Sequence, residues 1–442
     1  MINTLFCKST SRYFFFITTF FLLFLTLLNC QKAYALPAFA RQTDMACNSC
    51  HFQSFPALNS FGRVFKAGGY TLPGSQTRIE GDNRLSLPGI LNASVVTKIR
   101  YQLDDQVDEN RGEIQWPDEA ALMVGGRASE KIGFLLELGL GPVPADVDTG
   151  TGTLTCTGPA TNAAEIQANC TADTGTGAGN THGTFLSSKF HFKINDEFAI
   201  IPFSTDGLGV GYGFELLNTG AQRSQRPIEN RKGFSAGQAL GTASGSATGI
   251  AFIYNTPDWF VNYSHWTPTW GNAQVNIFGG LAHYLRLAYT PNLGGWDTGF
   301  GISSISGDVE SGATNPGTIT YVDSWTIDAQ AQGELYEMPF GLYASYGVVP
   351  KSSVAEPNHY NSSTTDDESA YGLVGKLSVI PGRTQIYMGY ALHDNNAIEI
   401  TTTTIGLQEM MTQNVKLELF TTSSDSTNPA DDYTMLMLFA GF

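Results

Sequence analysis

Cys47-Asn48-Ser49-Cys50-His51 is the stretch whose residue types and spacing dictate a chemistry. Two thiols spaced Cys-x-x-Cys can each add across one vinyl group on the same edge of a porphyrin. The two intervening residues let them face that edge together. The histidine that follows at once is drawn beneath the ring, where an imidazole nitrogen can bind the iron. The motif therefore predicts one covalently attached c-type haem, anchored by Cys47 and Cys50, with His51 as an axial ligand. A bare redox dithiol would sit in a βαβ context, which the residues around 47–51 do not show. A structural zinc site would need a second ligand pair nearby. Residues 52–180 contain no histidine and no second close cysteine pair.

The first 35 residues read as an export signal. Lys8 and Arg12 form a basic start, Phe14 to Leu28 is apolar, and Ala33-Tyr34-Ala35 is a small-x-small cleavage site. The apolar run is short of the roughly 20 residues that span a bilayer. The mature chain is expected to begin at Leu36, outside the cytoplasm, where c-type haem is attached. Cys7 and Cys30 leave with the signal; Asn29 is not small, which argues against a lipoprotein site at Cys30. Cys156 and Cys170 lie in a Gly/Thr/Ala-rich stretch. In an exported chain they are expected to form a disulfide closing a surface loop, with two free thiols as the alternative.

The elements that must position the motif divide the chain in two. Residues 36–80 form a small cytochrome segment. A helix is predicted from Pro56 to Ala67, with Leu58, Phe61 and Phe65 on one side and Gly68 at its end. So short a segment cannot bury a core alone and must lean on haem and on a larger body. That body, residues 81–442, reads as all-β. Short alternating runs are expected as strands at Ser94–Leu103, Ala120–Ala128, Ile132–Leu140, Phe185–Ile194, Leu208–Leu216, Ile250–Tyr254, Leu281–Tyr289, Leu335–Val348, Tyr371–Val379 and Thr384–Leu392. Tight turns at Ser129–Lys131, Asn195–Glu197, Thr256–Asp258 and Pro381–Arg383 contrast with long polar loops near 143–182, 219–246, 351–368 and 422–432. Glycine is abundant (48 residues), aromatics make 12% of the chain and charged residues only 14%. With a final strand ending on Phe442, this texture predicts an outer-membrane β-barrel of about 16 antiparallel strands. A soluble β-sandwich is the alternative. The haem segment directly precedes the first strand, so it is placed to enter the lumen or hang at its periplasmic mouth.

The run Pro37-x-Phe39-Ala40-Arg41-Gln42-Thr43-x-Met45-x-Cys47-x-x-Cys50-His51-Phe52-Gln53-x-Phe55-Pro56-x-Leu58-Asn59-x-Phe61-Gly62-Arg63-x-Phe65-Lys66-x-x-Gly69-Tyr70-Thr71 resembles the outer-membrane fused monohaem cytochrome c–porins, the iron oxidases of iron-oxidising bacteria. The resemblance covers some 35 residues; the barrel matches only in kind. Asp44 departs from the family pattern, which has glycine there. The resemblance implies an iron(II) oxidase: one haem c in or against the barrel, extracellular Fe(II) as electron donor, and a periplasmic c-type cytochrome or similar acceptor.

Around the haem, Arg41, Arg63 and Lys66 are candidates for pairing with the propionates, with solvated charge or contact with an acidic lumen wall as the alternative, and Phe61 and Phe65 are candidates for packing on the ring, with ordinary packing as theirs. The distal ligand is not evident. Met45, Met123, His182, His191, His265, His283, His359 and His393 are the sequence candidates. The net charge of −16 argues against nucleic acid as a partner. Acidic clusters at Asp104/Asp105/Asp108/Glu109, Asp366/Asp367/Glu368 and Asp425/Asp431/Asp432 would attract Fe²⁺ and offer it oxygen ligands, or are simply solvated loops. Two other readings stand beside iron oxidation. One is a diffusion channel with the haem segment as a structural or gating plug; the other is a surface electron conduit for another donor or acceptor. A barrel of this size is compatible with an oligomer.

Overall fold

A computed structural model describes residues 37–442, apart from 73, 75, 81–85, 90, 105–111, 141–152, 157–169, 174–184, 230–233, 270–274, 276–279, 311–318, 396–398 and 427–430. The expected signal peptide and His182 lie outside the described residues.

Alternation decides the architecture. In the stretch Ala282–Tyr289, the side chains of Leu285, Leu287 and Tyr289 are exposed, while Tyr284, Arg286 and Ala288 are buried. One face is apolar and outward, the other mixed and inward, as a lipid-facing strand requires. Sixteen strands of this kind pair antiparallel, each with the next, and close. They are β1 Ala93–Asp104, β2 Glu113–Arg127, β3 Ile132–Gly139, β4 Phe185–Lys193, β5 Phe198–Thr205, β6 Ala247–Asn255, β7 Trp259–Thr267 and β8 Ala282–Tyr289. The second half comprises β9 Trp296–Ser306, β10 Ser324–Leu335, β11 Met338–Val349, β12 Glu368–Ile380, β13 Thr384–Asp394, β14 Glu399–Thr412, β15 Val415–Ser424 and β16 Tyr433–Gly441. A two-residue piece, Asn292–Leu293, folds back on β9 inside the turn before it. β16 pairs with β1 in the register Leu438↔Ile99, and Val95 and Phe442 exchange backbone hydrogen bonds of 2.9 and 2.8 Å. No open edge remains in this sheet.

Aromatic pairs ring both ends of the wall. Trp259–Tyr289 (4.5 Å) and Phe198–Tyr254 (4.8 Å) lie beside the short turns, and Trp325–Tyr346 (5.5 Å) and Tyr371–Tyr390 (5.7 Å) beside the long loops. A closed barrel with an apolar outer band between aromatic girdles is soluble only in a bilayer, so the chain is a bacterial outer-membrane β-barrel. The sandwich alternative falls with it.

The expected tight turns all join paired strands. The expected strand Leu208–Leu216 does not exist. Residues 206–229 and 234–246, between β5 and β6, instead fold into the lumen. Val210, Tyr212, Phe214, Leu216 and Leu217 are buried against wall residues such as Ile201, Phe260 and Tyr284. Glu215 reaches Arg286 at 3.1 Å, and Arg286 grips Asp328 with both guanidinium arms. A buried arginine held between two carboxylates ties this insert to β8 and β10. The expected strand Leu335–Val348 also splits: Leu335 ends β10, and β11 begins at Met338.

Candidate functional site

The segment before β1 enters the barrel at its short-turn end. Helix α1, Pro37–Thr43, and helix α2, Ser60–Ala67, flank a one-turn 3₁₀ helix at Cys47–Ser49. The predicted helix was to begin at Pro56; α2 begins at Ser60. Asn59 is the reason: its side chain accepts from the Gly62 amide at 2.9 Å and caps the helix. Its amide also donates to the Ser49 carbonyl at 3.0 Å, tying α2 to the motif. Gly62 lies flat on the motif, and a Cβ there would fall 2.0 Å from the Cys50 carbonyl oxygen. Asp44, where the resemblance expects glycine, adopts φ 55°. Aspartate is among the few residues that tolerate that left-handed turn.

The plug is held from around the wall. Arg63 donates to both oxygens of Asp297 on β9, at 2.9 and 2.6 Å. Gln53 donates to the carbonyls of Pro339 on β11 and Lys376 on β12, at 2.8 and 2.9 Å. Phe55 stacks on Phe439 of β16 at 5.3 Å. Gly69 meets Gly133 of β3, where no side chain could fit between them, and packs on His191 of β4. The inserted loop meets the plug from the other side. Asn218 and Leu58 exchange hydrogen bonds of 2.8 and 2.7 Å, and Gln225 donates to the Pro56 carbonyl at 3.2 Å.

Between plug, insert and wall lies a chamber with about 1390 Å³ of empty space, part of it continuous with solvent. On the scale on which ordinary ligand sites measure roughly 300–1,000 Å³, its cavity volume is about 240 Å³. Cys47, Cys50 and His51 all line it. The two thiols are not joined to each other. Burial, and Cys47 beside it, push the Cys50 thiol up. His51 is lowered to about 4 by burial, so its ring is neutral near pH 7. Its Nδ1 lies 3.1 Å from the Ala57 carbonyl oxygen. That contact sets Nδ1 as the donor and leaves Nε2 as a lone-pair nitrogen, the arrangement that orients a metal-ligating histidine. Phe39, Phe55, Phe65, Tyr70 and Phe439 supply apolar and aromatic wall. The donor set, the neutral imidazole and the flat apolar lining fit a covalently held porphyrin.

The structure sorts the other candidates. Lys66 and Phe65 line the chamber; Phe65 packs edge-on against Phe39 (5.4 Å) and Tyr70 (5.7 Å). Arg41, Arg63 and Phe61 are not brought there. Arg41 is exposed and donates to the Ala93 carbonyl, Arg63 is committed to Asp297, and Phe61 does not line the chamber. Of the distal candidates, Met45 and Met123 line the chamber. His191 is buried beside Gly69 and Tyr70. His265 and His283 pair across β7 and β8, His359 lies in the loop before β12, and His393 faces Glu368. Sequence reasoning missed the wall residues Lys98, Glu119, Glu137 and Lys189 and the insert residue Arg226, all of which line the chamber. Alternation held the signal for Lys189: in Ser187-Ser188-Lys189-Phe190-His191, a lysine flanked by an outward Phe190 must face inward.

The acidic clusters serve their loops where they are described. Asp367 accepts from the Lys351 amide at 2.9 Å and Asp425 from the Thr401 amide. Among the described residues no three His, Cys, Asp or Glu side chains form a metal-binding group. Cys156 stands directly opposite Cys170 in a small antiparallel pair, Thr153–Cys156 with Cys170–Asp173.

No protein-family model and no curated protein matches the chain. Solved outer-membrane proteins resemble its fold. OprB of Pseudomonas putida is 13% identical, covering 79% of this chain and 93% of its own, with a TM-score of 0.49. The outer membrane channel DcaP of Acinetobacter baumannii is 10% identical over 80% of this chain and 97% of its own, at 0.47. A loop-deletion mutant of OmpT from Vibrio cholerae is 10% identical over 80% and 99%, at 0.45. The chain is a porin-type outer-membrane barrel on the strength of its own closed strand pairing.

Proposed function

We propose that this chain is an outer-membrane cytochrome-porin: an iron(II) oxidase that carries one haem c on Cys47 and Cys50, with His51 as an axial ligand. One observation carries the reading: both motif thiols and the neutral imidazole converge on one apolar chamber inside the barrel. A haem bound there supplies one-electron exchange, taking electrons from Fe(II) at the long-loop face and yielding them to a periplasmic c-type cytochrome. The residues contribute position and dryness. Asn59 and Gly62 lock the motif against α2, Ala57 orients His51, and the insert excludes water from the long-loop side. The apolar band of the wall is about 25 Å tall, and a redox group within it lets an electron cross while the oxidised mineral stays outside.

Mixing the oxidised, purified protein with ferrous citrate tests the reading. The haem absorption is expected to shift to the reduced form. A haem that stays oxidised in excess Fe²⁺ would overturn iron oxidation. Cys50→Ser is expected to lose haem that survives a denaturing gel, while the barrel still inserts. The second reading, a diffusion channel, is supported by the porin-type wall, and it predicts substantial solute conductance through the intact protein.

A further inference from the structure

Four cations line the chamber: Lys66 from the plug, Lys98 and Lys189 from the wall, and Arg226 from the insert. Two are neutralised. Lys98 lies between Glu119, at 2.6 Å, and Glu229; Arg226 also binds Glu229, at 2.6 Å. The other two are not. Among the described residues, neither Lys66 nor Lys189 has a carboxylate within 4.0 Å. Lys66 Nζ donates to the Gln225 side-chain oxygen at 2.9 Å, and Lys189 Nζ to the Tyr212 carbonyl at 3.1 Å. Lys189 also lies over the Tyr212 ring at 4.5 Å and the Tyr70 ring at 5.9 Å. Lys66 is 8% and Lys189 3% exposed. Two buried ammonium groups that line one chamber and are served only by neutral oxygens and ring faces are expensive unless an anion joins them. The acids that act on them from beyond ion-pair distance are Glu137 on β3, which accepts from Ser187 at 2.9 Å, and Glu215 on the insert, which reaches Arg286 at 3.1 Å.

We infer that Lys66 and Lys189 are the cradle for the two carboxylates of the chamber's ligand, the haem propionates. This rests on the proposed haem reading and assigns the orientation of the ring within it: thioether edge at Cys47 and Cys50, acid edge at the lysine pair. It moves the propionate role from Arg41 and Arg63 to a wall residue 123 positions from Lys66. Lys66 and Lys189 are positioning residues; they hold charge and do not exchange electrons.

The groups facing the pair are Glu137 on β3, Tyr212, Glu215 and Arg226 on the insert, Tyr70 after α2, and His191 on β4. None of these ion-pairs with either lysine. In a Glu137→Gln background, used for every variant so that this acid cannot contribute, propionates stay ionised with both lysines present and the haem reduction equilibrium is expected to be flat between about pH 5 and 8. In Lys66→Met/Lys189→Met the buried acids lose their counter-charges. Their protonation then couples to reduction, and the equilibrium is expected to drift by up to about tenfold per pH unit. Lys66→Arg/Lys189→Arg restores the flat profile. Lys376→Met removes a buried lysine that serves Ser54 at 2.9 Å outside the chamber, and leaves the profile flat. A double Met variant that keeps covalent haem and the flat profile overturns the cradle alone. A wild-type potential that depends on phosphate concentration shows a free anion on the pair and also overturns it. Wild-type protein with no covalent haem overturns both the cradle and the haem reading.

Discussion

Burial lowers the Lys66 ammonium to about 8, against a weaker upward pull from Glu215. Without an anionic ligand, the unfolded chain keeps this proton up to about 10.5 and the docked plug only up to about 8. Between those values the docked state binds fewer protons, so docking strengthens as pH rises, by up to about 3 kcal/mol. Protection factors of the α2 amides, exchange corrected for its intrinsic rise with pH, are expected to grow over that window in the haem-free Cys47→Ala/Cys50→Ala chain and to show no such change in Lys66→Met. At this scale the sequence was most informative where chemistry is local. Cys47, Cys50 and His51 stand out by spacing alone, and the structure brings all three to one chamber. Arg63 was not, because its partner Asp297 is 234 positions away, and nothing in either neighbourhood records the pairing.

The plug elements are fixed by backbone contact more than by side chains. Gly62 is the sharpest case. Gly62→Val would drive its branched side chain into the Cys50 carbonyl, costing at least about 2 kcal/mol. Limited proteolysis in detergent is expected to release the plug while the barrel remains heat-modifiable; a plug as resistant as wild type would contradict the contact. Strands were legible where lipid-facing residues alternate with polar ones, as in β1, β3, β8 and β13. Leu208–Leu216 shows why this fails elsewhere. Leu208, Val210, Tyr212, Phe214 and Leu216 alternate with glycines and one glutamate, which is a strand's pattern. Their apolar side chains are covered by the inside of the barrel and the plug rather than by lipid, and hydrophobic periodicity does not distinguish the two.

Taken whole, the molecule is a porin-type wall whose lumen is occupied. A 16-strand barrel would leave an aqueous channel if nothing filled it. Here the plug binds the short-turn half and residues 206–229 and 234–246 fill the long-loop side, with Phe214, Glu215 and Leu217 locked into the wall. In planar bilayers the intact protein is expected to conduct ions weakly. Replacing residues 209–244 by a short turn is expected to raise conductance many-fold, with the wall intact. High conductance before deletion would favour the diffusion-channel reading. The strand number was legible from length and texture; the filling was not, because residues that line a lumen and residues that plug it have the same composition.

Cys47 and Cys50 face the interior of a closed cylinder, roofed by the inserted loop and floored by their own helices. No folded catalyst can reach those sulfurs once the N-terminal segment has docked. On the proposed haem reading an order of manufacture follows: the thioether bonds would be made while residues 37–80 are still free in the periplasm, before the barrel takes the segment in.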